Sequence, residues 1–138
     1  MNGSVRLVRD LKSRPIVRAV DPIVVIDDDA DIRDSLADIL ADAGYSVRTF
    51  ANAAEALEHL RHDGAVSLII LDLMMPGMNG WAFREVQSHD EQLASIPVIT
   101  ISAVADLDPP SPETPVLCKP VNLDLLLDRV AQQVHAIG

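Results

Sequence analysis

The run "IVVIDDDADIR" (23–33) decides how the rest of the chain is read. Four branched apolar residues lead directly into Asp27, Asp28 and Asp29. An apolar run of this length, bounded by polar residues, fits a buried strand. Adjacent carboxylates repel one another and burial strips their solvation, so a pKa rises or a cation comes in. Three of them where a buried strand ends mark a place to look for chemistry.

Working outward, strand-like and helix-like segments alternate. "DIRDSLADILADAG" sets Ile32, Leu36, Ile39, Leu40 and Ala43 on one face at helical spacing and stops at Gly44. Asp28 or Asp29 could cap this helix, but Asp31, just before that face, is the better N-cap candidate. "YSVRTF" (45–50) alternates like a half-buried strand, and "AAEALEHLRHDG" (53–64) returns to helical spacing. "SLIILDL" (67–73) is the most strongly buried strand candidate, followed by the turn-rich "MMPGMNG". A helix is expected over "WAFREVQSHDEQL" (81–93), strands over "PVITISA" (97–103) and "PVLCKP" (115–120), and a closing helix over 123–134. Strands separated by helices imply an α/β fold with a parallel sheet covered on both faces. The interval "VADLDPPSPETP" (104–115) carries Pro109, Pro110, Pro112 and Pro115, so the helix expected between the last two strands is short or missing.

The bulk numbers agree with one such domain. The chain has 138 residues, is 49% hydrophobic and holds one Trp, one Tyr and two Phe, so its core is aliphatic. A formal charge of −10 argues against direct contact with nucleic acid. That charge is unevenly spread: residues 1–20 hold five basic residues against one acidic, and residues 21–138 six against twenty. Residues 1–21 therefore read as an appended basic extension, a solvated arm in the simpler view and a docking segment in the other. One cysteine, Cys118, excludes an intrachain disulfide and suits a reducing compartment. With no membrane-length apolar run and no secretion signal, a cytoplasmic protein is expected.

Ligands of an open parallel sheet collect at the carboxyl ends of its strands. Asp27 and Asp28 close the first expected strand, Asp72 the third, Ser102 the fourth and Lys119 the fifth. Three carboxylates there supply hard oxygen donors suited to Mg²⁺. A carboxylate is also a nucleophile toward phosphorus, giving an aspartyl-phosphate. A cation and Lys119 then neutralise phosphoryl oxygens, and the Ser102 hydroxyl donates to the attached group. Taken singly, each residue has an ordinary explanation as a cap, strand-end hydroxyl or solvated lysine; the combination favours chemistry. An EF-hand register from Asp27 to Asp38 fails, because Ile32 sits where the sharp turn needs Gly.

Over roughly residues 22–136, the segments "VVIDDDADIR", "LIILDLMMPGMNG", "PVITISA" and "VLCKP" resemble the receiver domain of response regulators from two-component phosphorelays. The resemblance implies a flavodoxin-like, doubly wound, five-stranded parallel sheet of order 2-1-3-4-5, with residues 22–138 as the receiver domain. It implies Asp72 as phosphoacceptor, Asp27 and Asp28 as the acidic pair at an Mg²⁺ site with Asp28 the direct ligand, and the Met74 backbone carbonyl completing the protein's share. It assigns Ser102 as the switch hydroxyl, Lys119 as the phosphate-pairing lysine and a cis Lys119–Pro120 bond, and gives Asp29 no role. Two departures stand out: Val116 occupies a position often aromatic in this family, and Ser102 and Lys119 are closer together than usual.

The phosphoryl group is expected from a sensor histidine kinase or a histidine phosphotransfer protein. No output domain fits within residues 1–21 or after Gly138, so the signal is expected to pass by contact to a downstream effector protein. The alternatives are a phosphorylation-independent adaptor and a Mg²⁺-dependent phosphohydrolase. Haloacid-dehalogenase-type hydrolases usually carry a second Asp two residues after the first, where this chain has Met74, so no separate substrate turnover is expected.

Overall fold

A computed structural model describes residues 21–63, 65–104, 109–110 and 116–137. The elements are β1 (Ile23–Ile26), α1 (Ala30–Asp42), β2 (Val47–Phe50), α2 (Ala53–Asp63) and β3 (Leu68–Asp72). They continue with α3 (Gly80–Ser88), β4 (Val98–Ser102), β5 (Val116–Cys118) and α4 (Leu123–Ile137). The strands form one five-stranded sheet in the order β2-β1-β3-β4-β5, and every pairing is parallel. The sequence-derived architecture and strand order therefore hold. The basic extension and most of the Pro-rich interval (105–108 and 111–115) lie outside the described residues. Among the described residues no helix lies between β4 and β5.

The strand period of two divides the core. Val24, Ile26, Ile69, Leu71 and Val98 face α2 and α3, packing with Leu57, Leu60 and Phe83. Ile23, Val25, Ile70, Ile99 and Ile101 face α1 and α4, packing with Leu36, Leu40, Leu126 and Val130. Both faces of β1, β3 and β4 are thus buried, which is why those strands read as unbroken Val/Ile/Leu runs. Edge strand β2 is only half-buried at Val47 and Phe50.

Several local expectations shift. The N-cap of α1 is Asp29, not Asp31: the Asp29 carboxylate accepts from the backbone N–H of Asp31 at 2.9 Å and of Ile32 at 3.3 Å. Ala43, expected on the apolar face, is instead the exposed C-cap of that helix. Helix α3 ends at Ser88 and does not run to Leu93. The buried Gln87 amide donates to the Leu93 carbonyl at 2.9 Å and the Ile96 carbonyl at 3.0 Å. Leu93 consequently reaches the core from a turn. The Lys119–Pro120 bond is cis, as the resemblance implied.

Candidate functional site

The parallel strands deliver their carboxyl ends to one rim, and the residues singled out in the sequence gather there. Asp27 follows β1 and is fully buried, Asp72 ends β3 at 2% exposure, and Ser102 ends β4 fully buried. Asp28 is exposed at the same rim. Carboxylate oxygens of Asp27, Asp28 and Asp72 lie within 4.8 Å of one another. Lys119, just past β5, reaches across the sheet to Asp27 Oδ2 at 3.0 Å and Asp72 Oδ2 at 3.2 Å.

The two buried carboxylates are held alike. Asp27 Oδ1 accepts from the backbone N–H of Asp29 at 2.9 Å, and Asp72 Oδ1 from that of Met74 at 3.1 Å. Each loop leaving a strand thus folds back on the acid that precedes it, fixing the carboxylate plane and turning its second oxygen toward Lys119. Lys119 donates a hydrogen bond to Asp72 Oδ2. Its contact with Asp27 Oδ2 is an ion pair without a directed hydrogen bond, so that buried oxygen retains acceptor capacity.

One ammonium does not offset the acidic surroundings. Burial, reinforced by the nearby Asp27 charge, raises the Asp72 carboxyl from 3.8 to about 6, against the lowering effects of the Met74 N–H and Lys119. For Lys119, burial acts downward, but the combined attraction of Asp27 and Asp72 outweighs it and the net shift is upward. Asp72 is therefore ionised for the most part at neutral pH while remaining unusually basic for a carboxylate.

The loop after β3 turns tightly into α3 beside this rim. Gly77 turns the chain at φ 74°, and the Gly80 N–H donates to the Leu73 carbonyl at 3.0 Å. A Cβ on Gly80 would come within 2.8 Å of Leu73 Cα, so only glycine lets α3 start this close to the end of β3. Asn79 then caps α3 through the Ala82 N–H at 2.9 Å. Met74, expected to offer its carbonyl, sits two residues past Asp72 and is 49% exposed.

Ser102 is at the rim but engaged locally, its Oγ accepting from the Val104 N–H at 3.1 Å. Val116 is half-buried in β5. One contributor was ranked too low in the sequence and one escaped it. Asp29, given no role by the resemblance and placed behind Asp31 as a cap, is the α1 cap, and its N–H also fixes Asp27. Arg33 reaches back from the first turn of α1 to donate to the Asp27 carbonyl at 2.8 Å. A lone basic residue in a helix turn where acidic ones are favoured was the available signal.

A doubly wound sheet brings three acids and a lysine together on its carboxyl rim, a donor set compatible with a metal ion. The response regulator receiver domain family matches residues 23–111, and the chain belongs to that family. It is 34% identical over 118 residues to the response regulator receiver protein CpdR of Brucella abortus, covering 83% of this chain and 97% of that protein. It is 39% identical over 90 residues to the C4-dicarboxylate transport transcriptional regulatory protein DctD of Rhizobium meliloti. That match covers 64% of this chain, which spans only 19% of DctD's length. Among solved structures, the chemotaxis protein CheY4 of Vibrio cholerae superposes with a TM-score of 0.71 at 29% identity, covering 83% of this chain and 98% of CheY4. Among the described residues, no helix is long and apolar enough to cross a membrane.

Proposed function

We propose that this receiver domain takes a phosphoryl group from a histidine kinase or a histidine phosphotransfer protein onto Asp72, with Mg²⁺, and passes the signal by contact with an effector protein. The observation that carries this reading is the convergence of Asp27, Asp28 and Asp72 within 4.8 Å, bridged by Lys119. The donor set fits a small hard cation: three carboxylates, one buried oxygen with spare acceptor capacity, and an acid, Asp72, whose pKa is raised first by burial and then by the Asp27 charge. Asp28, Asp72 and the Met74 carbonyl would hold the ion, with Asp27 beside them. When bound, it supplies charge neutralisation for phosphoryl oxygens.

The protein's own groups do the rest. The Met74 N–H holds Asp72 Oδ1, so Oδ2, now paired with Lys119, is the oxygen assigned the attack on phosphorus. The P–N bond of the phosphohistidine breaks as the Asp72–phosphorus bond forms, and the imidazole leaves with its electron pair. Lys119, released from an ionised Asp72, pairs with the new dianion. Ser102 exchanges its Val104 contact for a phosphoryl oxygen, and that change in the β4 loop shifts the domain between two states. No acid–base group stands two residues after Asp72, so we assign the domain phosphorylation and slow self-dephosphorylation without turnover of a separate substrate.

Acetyl phosphate with Mg²⁺ should add one phosphoryl group by intact mass, and Asp72→Asn or a chelator should abolish it. Equal labelling of Asp72→Asn would remove Asp72 from its role.

A further inference from the structure

Between α1 and the start of α4 lies a groove of about 320 Å³. Ile32 and Leu36 of α1 line it together with Lys119, Pro120, Val121 and Leu123. Leu123 is 41% exposed, so this apolar surface is open to solvent. Asp31, at the groove's edge, begins a stripe with Asp34, Asp38 and Asp42, all exposed. Spacings of three and four residues put these acids on one face of α1. Asp124 and Asp128 add exposed charge one turn apart on α4. Among the described residues none of these six acids has a basic partner. Like charges repeated along one helix face toward its negative C-terminus repel mildly, and a basic segment laid along them would relieve that repulsion.

The chain itself contains the complement. Residues 1–20 carry a net charge of +4, with Arg6, Arg9, Lys12, Arg14 and Arg18 interleaved with Val5, Leu7, Val8 and Leu11. They join the domain at the correct corner: Ile23 bonds the Ser46 carbonyl at 2.8 Å, beside the C-terminal end of α1. Twenty residues reach at most about 66 Å. The thirteen residues of α1 span only about 20 Å. The tether is more than long enough, and its proximity raises the local concentration of the basic segment at this face.

We infer that residues 1–20 dock on their own domain, basic side chains along the Asp31–Asp42 stripe of α1 and apolar ones in the groove beside Lys119. The docking is independent of whether Asp72 accepts phosphate, and its test requires no phosphorylation.

The test uses the full chain with Cys118→Ser and a nitroxide on Ser4→Cys. Amide signals from residues 34–42 and 121–123 should lose more than half their intensity through paramagnetic broadening. Glu at Arg6, Arg9, Lys12 and Arg14 should abolish the loss, and about 0.5 M salt should weaken it. Lys at Asp34, Asp38 and Asp42 should abolish it alone and restore it when combined with the reversed segment. Undiminished signals at these residues, or a loss indifferent to both reversals, would overturn the inference. So would broadening of an isotope-labelled chain by a spin-labelled second copy, which would make the occupant a neighbour's segment.

Discussion

Replacing Asp72 by Asn should stabilise the cation-free protein. The folded state holds this carboxyl at about 6, against 3.8 when free, so ionising it inside the fold costs about 3 kcal/mol more than ionising it in the unfolded chain. The sign follows from proton counting. Between the two values the folded chain keeps a proton that the unfolded chain releases, so this group contributes stability below 3.8 that is lost as pH rises through about 6. The amide keeps an oxygen for the Met74 N–H but loses the Lys119 pairing, which reduces the expected net gain to about 1–2 kcal/mol at pH ~7.5. Urea unfolding in a chelator should show this as a midpoint higher by about 0.5–1 M. From pH ~7.5 to ~5 the wild type should recover about 1.4 kcal/mol through this group and Asp72→Asn none of it, so the gap narrows. Saturating Mg²⁺ should stabilise the wild type more than the variant and narrow the gap again. An Asp72→Asn protein no more stable than wild type at pH ~7.5 without divalent cations would refute the electrostatic account of the site.

Lys119→Met should act oppositely, leaving two buried acids face to face; a loss of about 3 kcal/mol is expected in chelator, with the Asp72 titration moved further up. Nuclear magnetic resonance of the side-chain carboxyl would follow that titration. Arg33→Ala should weaken Mg²⁺ binding about tenfold in a calorimetric titration, because the Asp27 carbonyl loses its 2.8 Å partner and the ligand-bearing loop loosens. Arg33→Lys should restore part of it. Gln87→Ala orphans two carbonyls that the amide now satisfies and should cost about 1–3 kcal/mol in denaturant, with Mg²⁺ affinity unchanged.

The parts legible in the sequence were those governed by periodicity and by strand ends. Runs such as "SLIILDL" announce a strand buried on both faces, and placing Asp27, Asp72, Ser102 and Lys119 at carboxyl ends requires only that the sheet be parallel. The misreadings arose where several residues have equal local preference. Asp28, Asp29 and Asp31 are all good caps, and the choice of Asp29 depends on where β1 stops pairing with β2. The helical pattern of residues 81–93 continues past Ser88, but side chains end the helix: Gln87 captures the Leu93 and Ile96 carbonyls, and Asp90 takes the Gln92 N–H at 2.9 Å. Arg33 was missed for a related reason, since its partner is a backbone carbonyl that no side-chain pattern reveals.

Asp28 differs from its two neighbours in being exposed, while Asp27 and Asp72 are pinned by backbone amides and by Lys119. An ion held by these acids would need only this one surface carboxylate to swing away in order to leave, with the rigid inner pair undisturbed. Its entry and departure would then not require the sheet to loosen, and the reach of this one side chain would set how fast such a site exchanges its ion.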